Sequence, residues 1–101
     1  MEINYQTKDK SIDIKLVYIV KRQLKMYYIG KTWPKHTQCL FYYNGLLRGF
    51  GTVVLHYTDK DNQRLAYKLA TKKAIVDYTQ RWLRKELWKT VITELDKISY
   101  D

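Results

Sequence analysis

A β-hairpin is encoded by residues 39–57, whose sequence is CLFYYNGLLRGFGTVVLHY. Two runs rich in β-branched and aromatic residues flank Asn44-Gly45, the dipeptide that most readily adopts the positive φ angles of a tight hairpin turn. The second run contains Gly49 and Gly51. Glycines inside a strand indicate a bulge, or a place where another backbone or a ligand comes close.

Two further strands are predicted before this hairpin. Residues 12–20 alternate between the two faces of a strand and are rich in β-branched residues. This alternation puts five residues on one face, which are Ile12, Ile14, Leu16, Tyr18 and Val20. Residues 26–33 form another such run, and it ends before a proline because proline cannot continue a hydrogen-bonded ladder. The first half of the chain therefore predicts an antiparallel sheet of about four strands.

After Thr58 the pattern becomes helical, since neither Gly nor Pro occurs in residues 59–101. A continuous helix over residues 62–98 would be about 55 Å long at 1.5 Å per residue, which is longer than so small a domain can cover. We therefore expect a kink or break near residues 77–81. Apolar residues at helical spacing predict the stripe that packs on the sheet. They are Leu65, Leu69, Val76, Leu83 and Leu87.

These patterns predict one α+β domain over residues 1–101, with a sheet in residues 1–58 and helical structure in residues 59–101. The antiparallel sheet is followed by a long or broken C-terminal helix packed on one face. The lone Cys39 cannot close an internal disulfide. No apolar run reaches the roughly 18 residues of a membrane span, and residues 1–15 are too polar for a signal peptide. We expect a cytoplasmic protein.

Charge and aromatic content indicate the class of partner. Residues 14–58 contain no carboxylate, but they hold seven Lys or Arg, two His and nine aromatic rings. Cations attract phosphates and release their counterions, and aromatic rings stack on unpaired bases. The net charge of +9 also favours strong, salt-sensitive binding to polyanions. We expect the partner to be nucleic acid or a nucleic-acid-binding protein complex, and not a membrane.

Two surfaces are candidates for binding. The first is the sheet face that the helix leaves uncovered, where rings would stack on bases and cations would hold phosphates. Its candidate residues are Lys15, Lys21, Tyr27, Lys31, Tyr42, Arg48 and Phe50. The second surface, for a protein partner, is the outward side of the helix, where aromatic and basic residues interleave. Its candidate residues are Tyr78, Arg81, Trp82 and Lys85.

Residues 48–55, RGFGTVVL, resemble the signature on the central strand of RNA-recognition-motif domains, matching it at six of eight positions. Aromatic residues are missing at the fifth and eighth positions. Residues 16–20, LVYIV, loosely resemble the paired signature on the first strand of that family. The resemblance implies an RNA-binding sheet with Phe50 and Tyr18 as stacking rings and Arg48 as a phosphate contact.

Catalysis and metal binding have weaker support. Two tyrosine-containing segments, residues 17–19 and 27–30, resemble the paired tripeptides of GIY-YIG endonucleases, but no Glu occurs between them and Glu86. A zinc site could be drawn from three residues, but no second Cys supports it. They are His36, Cys39 and His56. General acid–base catalysis needs a positioned pair of titratable groups, which the carboxylate-free sheet lacks. We predict a binding domain that is not an enzyme and has no metal site or cofactor.

Two alternative functions remain open. In small size, basic charge and aromatic content the chain is similar to bacteriophage counter-defence proteins, including anti-CRISPR proteins. That resemblance implies an inhibitor that docks on a nucleic-acid-targeting protein in the host cytoplasm. The passage from strand to helix over residues 52–74 is also similar to the three-stranded sheet of some integrase DNA-binding domains, which would read duplex DNA.

Overall fold

The sheet contains four antiparallel strands in the order in which they follow one another along the chain. A computed structural model describes residues 1–22, 35–55, 63–76 and 80–98. The strands are β1 (Glu2–Gln6), β2 (Asp13–Arg22), β3 (Lys35–Tyr43) and β4 (Leu46–Leu55). Two helices follow them, which are α1 (Gln63–Ile75) and α2 (Arg81–Asp96). The predicted α+β class, a four-stranded antiparallel sheet followed by helices, is confirmed.

The predicted hairpin is β3 and β4. Asn44 and Gly45 form its turn with φ angles of 49° and 84°, in the left-handed region that this dipeptide favours. Phe41 pairs with Gly49 but Tyr42 pairs with Leu47, so β4 has one extra residue at Arg48. This irregularity is the bulge that the strand glycines indicate.

The other strands only partly follow the prediction. Residues 12–20 lie in β2, as expected, and β2 pairs with β1 on one side and with β3 on the other. Strand β1 was not predicted, because only two of its five residues, EINYQ, are apolar. Their alternating pattern is too short to indicate a strand. The strand predicted at residues 26–33 lies outside the described residues.

Asp9 shapes the turn that brings β1 beside β2. Its Oδ1 accepts hydrogen bonds from the Ser11 backbone N–H at 3.1 Å, the Thr7 hydroxyl at 2.7 Å and the Ser11 hydroxyl at 2.8 Å. These bonds, led by that of the Ser11 backbone, favour the charged carboxylate and lower the pKa of Asp9 to about 2. Lys10 takes a positive φ of 61° to close the turn.

Both helices pack on the same face of the sheet. Helix α1 lies on β3 and β4, and α2 lies beside it and contacts β1. The Arg64 guanidinium at the start of α1 is 2.5 Å from the Asp96 carboxylate at the end of α2, so the helices run antiparallel. Because α1 ends at Ile75 and α2 begins at Arg81, the expected break near residues 77–81 is confirmed.

The buried side of α1 differs from the predicted stripe. Leu83 and Leu87 of α2 are buried as expected, but Leu65, Leu69 and Val76 are 45%, 38% and 48% exposed, so that part of the prediction is wrong. The buried residues of α1 are instead mostly small. They are Ala66, Ala70, Thr71, Ala74 and Ile75.

A close approach between α1 and β4 explains this orientation. A Cβ atom built on Gly51 would collide with the carbonyl oxygen of Ala70, and it would lie 2.6 Å from Cβ of Lys73 and 2.9 Å from the backbone nitrogen of Ala74. The helix backbone therefore occupies the space that a strand side chain would fill. Only the alanine side of α1 fits against a strand at that distance, so the leucine side turns to solvent.

The core lies between the sheet and the two helices. Ile14, Leu16 and Tyr18 of β2 are buried, as their alternation predicted, whereas Val20 near the end of the same face is 37% exposed. They pack with Phe41 and with the inner residues of α2. The inner residues of α2 recur every fourth position and are Leu83, Leu87, Val91 and Leu95.

Replacing Gly51 with Ala should destabilise the fold. The added methyl group meets helix backbone that cannot move aside cheaply, so we expect a loss of about 1 to 3 kcal/mol in the free energy of unfolding, measured with chemical denaturant. Thr52→Ser, on the other face of the same strand, is the control and should change little. A variant as stable as the parent chain would contradict the close helix–strand approach.

Two leucine truncations should separate the buried side of the helices from the exposed side. Leu87 is 0% exposed, and Leu87→Ala should cost about 2 to 5 kcal/mol in the free energy of unfolding. Leu69→Ala removes the same atoms from a position that is 38% exposed, so its cost should be well below that range. Equal losses would mean that α1 is rotated from the orientation described.

Candidate nucleic-acid interface

The face of the sheet opposite the helices carries four of the predicted site residues. Strand residues point alternately to the two faces, so the buried positions of β2 leave Lys15 and Lys21 on the opposite face. Tyr42 pairs directly with Lys15, and Phe50 pairs with Leu40 on the neighbouring strand. No helix that the structure describes lies on this face, which we call the outer sheet face.

Phe50 and Tyr42 form the aromatic part of the outer sheet face. Phe50 is 63% exposed, the largest exposed fraction among the large apolar side chains that the structure describes. Tyr42 is half-buried on the adjacent strand. The register makes the two residues diagonal neighbours, a relation that separates side chains by about 7 to 8 Å. Two rings at this spacing could each stack on one of two successive unpaired bases.

An acidic residue enters the outer sheet face from β1, where the sequence did not indicate one. Glu2 pairs with Val17, and its carboxylate is 3.4 Å from the Lys15 ammonium. Both side chains are about half exposed, so the pair is screened by water and is easily exchanged for a phosphate. Residues 14–58 contain no carboxylate in the sequence, but the neighbouring strand β1 places the Glu2 carboxylate on the same face of the sheet.

The remaining cations lie at the margins of the outer sheet face. Lys21 is exposed near the end of β2 and pairs with His36 of β3. Arg48 is exposed at the bulge of β4, one residue from Leu47. The outer sheet face thus has its rings on β3 and the edge strand β4, with cations on β2 and at the bulge of β4.

A depression of about 530 Å³ lies at one end of this face. It combines the Lys15 ammonium, an amide, a carboxylate and a phenol with an apolar floor, groups that can bond the edge of a base and its sugar. Its lining residues are Asn4, Asp13, Lys15, Val17, Tyr42 and Gly45. Asn4 and Asp13 were not among the predicted site residues. The pairing of β1 with β2 brings Asn4 here, whereas Asp13 lies on the same face of β2 as Lys15.

Tyr18 belongs to the core and is not a second stacking ring. Its hydroxyl is 2.5 Å from the Thr71 hydroxyl of α1, and its ring meets the Tyr67 ring edge-on with centroids 5.2 Å apart. Burial disfavours the phenolate and raises the pKa of Tyr18. The part of the RNA-recognition resemblance that assigned Tyr18 to a binding surface is therefore wrong. The signature-like residues 48–55 lie in β4, at the edge of the described sheet.

Cys39 and His36 cannot share a metal. They are three residues apart on β3, and side chains at that spacing point to opposite faces of a strand. Cys39 is buried in the core. Within the described ranges, no group of three or more His, Cys, Asp or Glu could hold a metal ion.

The helix surface retains part of the predicted protein-binding set. Arg81, Trp82 and Lys85 are exposed on the first turns of α2. Trp82 is 51% exposed, and its indole N–H donates to the Gln80 side-chain carbonyl at 2.7 Å. Three predicted site residues, Tyr27, Lys31 and Tyr78, lie outside the described residues. None of the helices in the described part of the chain is both long and apolar enough to cross a membrane.

Cys39 should resist modification while the chain is folded. Burial raises the pKa of its thiol to about 12, so little thiolate forms near neutral pH. The stability that this shift contributes is present below the ordinary thiol pKa of about 8.5 and is lost as pH rises through the folded value. Mass spectrometry after iodoacetamide treatment should find slow labelling of the native chain and rapid labelling in denaturant. Equal rates would show that the thiol is accessible.

No protein-family model matches this chain, and no curated protein or solved structure is significantly similar to it. The residues of the outer sheet face and of the helix surface are therefore the basis on which a function can be proposed.

Proposed function

We propose that this protein is a non-enzymatic domain that binds single-stranded nucleic acid, free or within a ribonucleoprotein, on its outer sheet face. The observation that supports this most is the Phe50 ring, which is 63% exposed on a sheet face that no described helix covers. Complete burial of a phenyl ring would contribute about 1.5 to 3 kcal/mol of free energy, and most of this is lost while the ring is exposed to water. A base stacked on the ring would recover that free energy.

Neighbouring groups extend the contact beyond one base. Tyr42 offers a second ring next to Phe50, and the depression beside it offers an amide and an ammonium group for the base edge or the sugar. The ammonium of Lys21 and the guanidinium of Arg48 are exposed at the margins, where a backbone passing over the rings would place phosphates. Aromatic rings with cations beside them are the combination that sequence-tolerant single-strand binding uses.

The width of the sheet favours single strands over duplex DNA, the ligand in the integrase-type alternative. Four strands about 4.8 Å apart span about 14 Å between the outer strand axes. The major groove is about 12 Å wide and admits a two-stranded ribbon. A base can stack on the exposed phenyl ring only if it is unpaired, because paired bases already stack on one another.

A second candidate function is inhibition of a nucleic-acid-targeting protein by docking, as in phage-encoded anti-CRISPR proteins. Trp82 favours it, since this indole is 51% exposed beside two exposed cations, Arg81 and Lys85. Exposed tryptophan and arginine are the residues that most often anchor protein interfaces. Pull-down from a nuclease-treated lysate would separate this function from direct nucleic-acid binding.

Phe50→Ala should weaken binding to a single-stranded oligonucleotide by about 1 to 3 kcal/mol while leaving the melting temperature nearly unchanged. Fluorescence anisotropy would measure the affinity, and circular dichroism would measure the melting temperature. Phe50→Trp keeps a stacking ring and should retain binding. Phe41→Ala is the opposite control, because Phe41 is fully buried and its truncation should cost about 3 to 5 kcal/mol of stability.

The dependence of oligonucleotide affinity on salt concentration is a second measurement in the same experiment. Binding through phosphates should weaken steeply between about 50 and 200 mM salt, because counterions are released on binding. A flat salt response together with unchanged affinity for Phe50→Ala would remove nucleic acid as the direct ligand. Equal affinity for single strands and duplexes would instead argue against stacking on Phe50.

A further inference from the structure

A groove between the two helices lies on the side of the molecule opposite the outer sheet face. It runs between the last turn of α1 and the first two turns of α2 and has a volume of about 440 Å³. Three apolar side chains and four cationic side chains line it. The lining residues are Lys72, Ile75, Val76, Arg81, Arg84, Lys85 and Trp88.

The four cations of this groove have no acidic partner among the described residues. The structure's ion pairs on the helices use the carboxylates of Glu86, Glu94 and Asp96. Each of these carboxylates pairs with a cation outside the groove. Those cations are Lys89, Lys97 and Arg64. The positive charge around the groove is therefore not balanced by any carboxylate that the structure describes.

Crowding four cations around one groove costs free energy through their mutual repulsion. The cost is greatest beside α2, because the first turn of this helix contains no acidic residue and Gln80 provides no side-chain cap. The positive end of the helix dipole adds to the charge of Arg81, Arg84 and Lys85 there. A bound anionic group would relieve this repulsion.

The floor of the groove indicates what carries the anionic groups. Ile75 and Val76 are aliphatic, and Trp88 is packed against the core. Val76 also continues an exposed apolar line along α1, formed with Leu65 and Leu69. Trp88 is the ring that lines the groove, and it is half-buried against the core, so it presents less surface to a base than an exposed ring does. The exposed aliphatic line of α1 matches an apolar amino-acid side chain. Arginines also bind carboxylates in a bidentate geometry.

We infer that this groove binds an acidic segment of a protein partner, with an apolar side chain of that segment on Val76 and its carboxylates on Arg81, Arg84 and Lys72. This site goes beyond the proposed nucleic-acid binding, because it uses the helix layer and none of the residues of the outer sheet face. It shares Arg81 and Lys85 with the protein-docking candidate and names the chemistry of the partner segment. Nucleic acid on one side and an acidic protein segment on the other could be held at the same time.

The test uses the full chain and a short synthetic peptide in which Asp and Glu flank a central Leu-Phe pair. In NMR titrations the peptide should shift the signals of the Val76 amide and the Trp88 indole N–H, and the same peptide with Asn and Gln in place of the acids should not. The double substitution Arg81→Gln with Arg84→Gln should weaken binding about tenfold or more, since two charge-assisted hydrogen-bonding groups are lost.

Lys89→Gln is the matched control, because Lys89 lies on the same helix but outside the groove. It should leave peptide affinity within about twofold, as expected for a screened surface charge. Phe50→Ala should also leave peptide affinity unchanged, so failure of the sheet-face proposal can be told from failure of this one.

Three outcomes would overturn the inference. The first is equal binding of the acidic and neutral peptides, or no shift of either groove signal. The second is an equal loss of peptide affinity with Lys89→Gln, which would mean that the peptide responds to the overall positive charge of the helices and not to the groove. The third is displacement of the peptide by an oligothymidine that shifts the same two signals, which would make nucleic acid the occupant. Because the wild-type titration reads the groove directly, a variant that fails to fold does not decide the result.

Discussion

Helix α1 lies directly on the backbone of β4 because Gly51 has no side chain to hold them apart. A Cβ atom there would be 2.9 Å from the Ala74 backbone nitrogen, closer than real side-chain contacts allow. The helix meets this strand with its alanines, since larger residues would not fit at that distance. Once α1 is placed, the Arg64–Asp96 ion pair and the buried leucines of α2 set the second helix beside it. The helix layer thus depends on one strand position without a side chain.

Placing both helices on one face creates two different surfaces. The outer sheet face keeps every second strand residue in contact with solvent, including Tyr42 and Phe50. The outward side of α1 keeps Leu69 and Val76 exposed because the alanines have taken the inner side. The first surface combines rings with dispersed cations and suits unpaired bases. The second combines exposed aliphatic side chains and a half-buried indole with concentrated cations. This combination suits an acidic segment that carries an apolar side chain.

Hydrophobic patterning was a sound guide to β2 and to the hairpin of β3 and β4, because alternation and the Asn44-Gly45 turn are local signals. It failed for α1, where Leu65 and Leu69 have the right spacing for a core but the wrong size for this contact. Charge patterning failed in a similar way at Lys15. Residues 14–58 contain no carboxylate, yet β1 brings Glu2 to within 3.4 Å of the Lys15 ammonium group. Both failures come from neighbours that are distant along the chain.

The α+β class, the hairpin with its bulge and most of the buried side of β2 could be predicted from the sequence, since these depend on residues close together in the chain. The break between the helices could be predicted from the length of the helical segment compared with the size of the domain. The sequence also limited the candidates on the outer sheet face to a short set that includes Tyr42 and Phe50. The side of α1 that is buried, the approach of Glu2 to Lys15 and the groove shared by Lys72 and Arg84 follow instead from the packing of the elements. These outcomes depend on the distance between packed backbones and on contacts between remote segments, which local spacing does not encode.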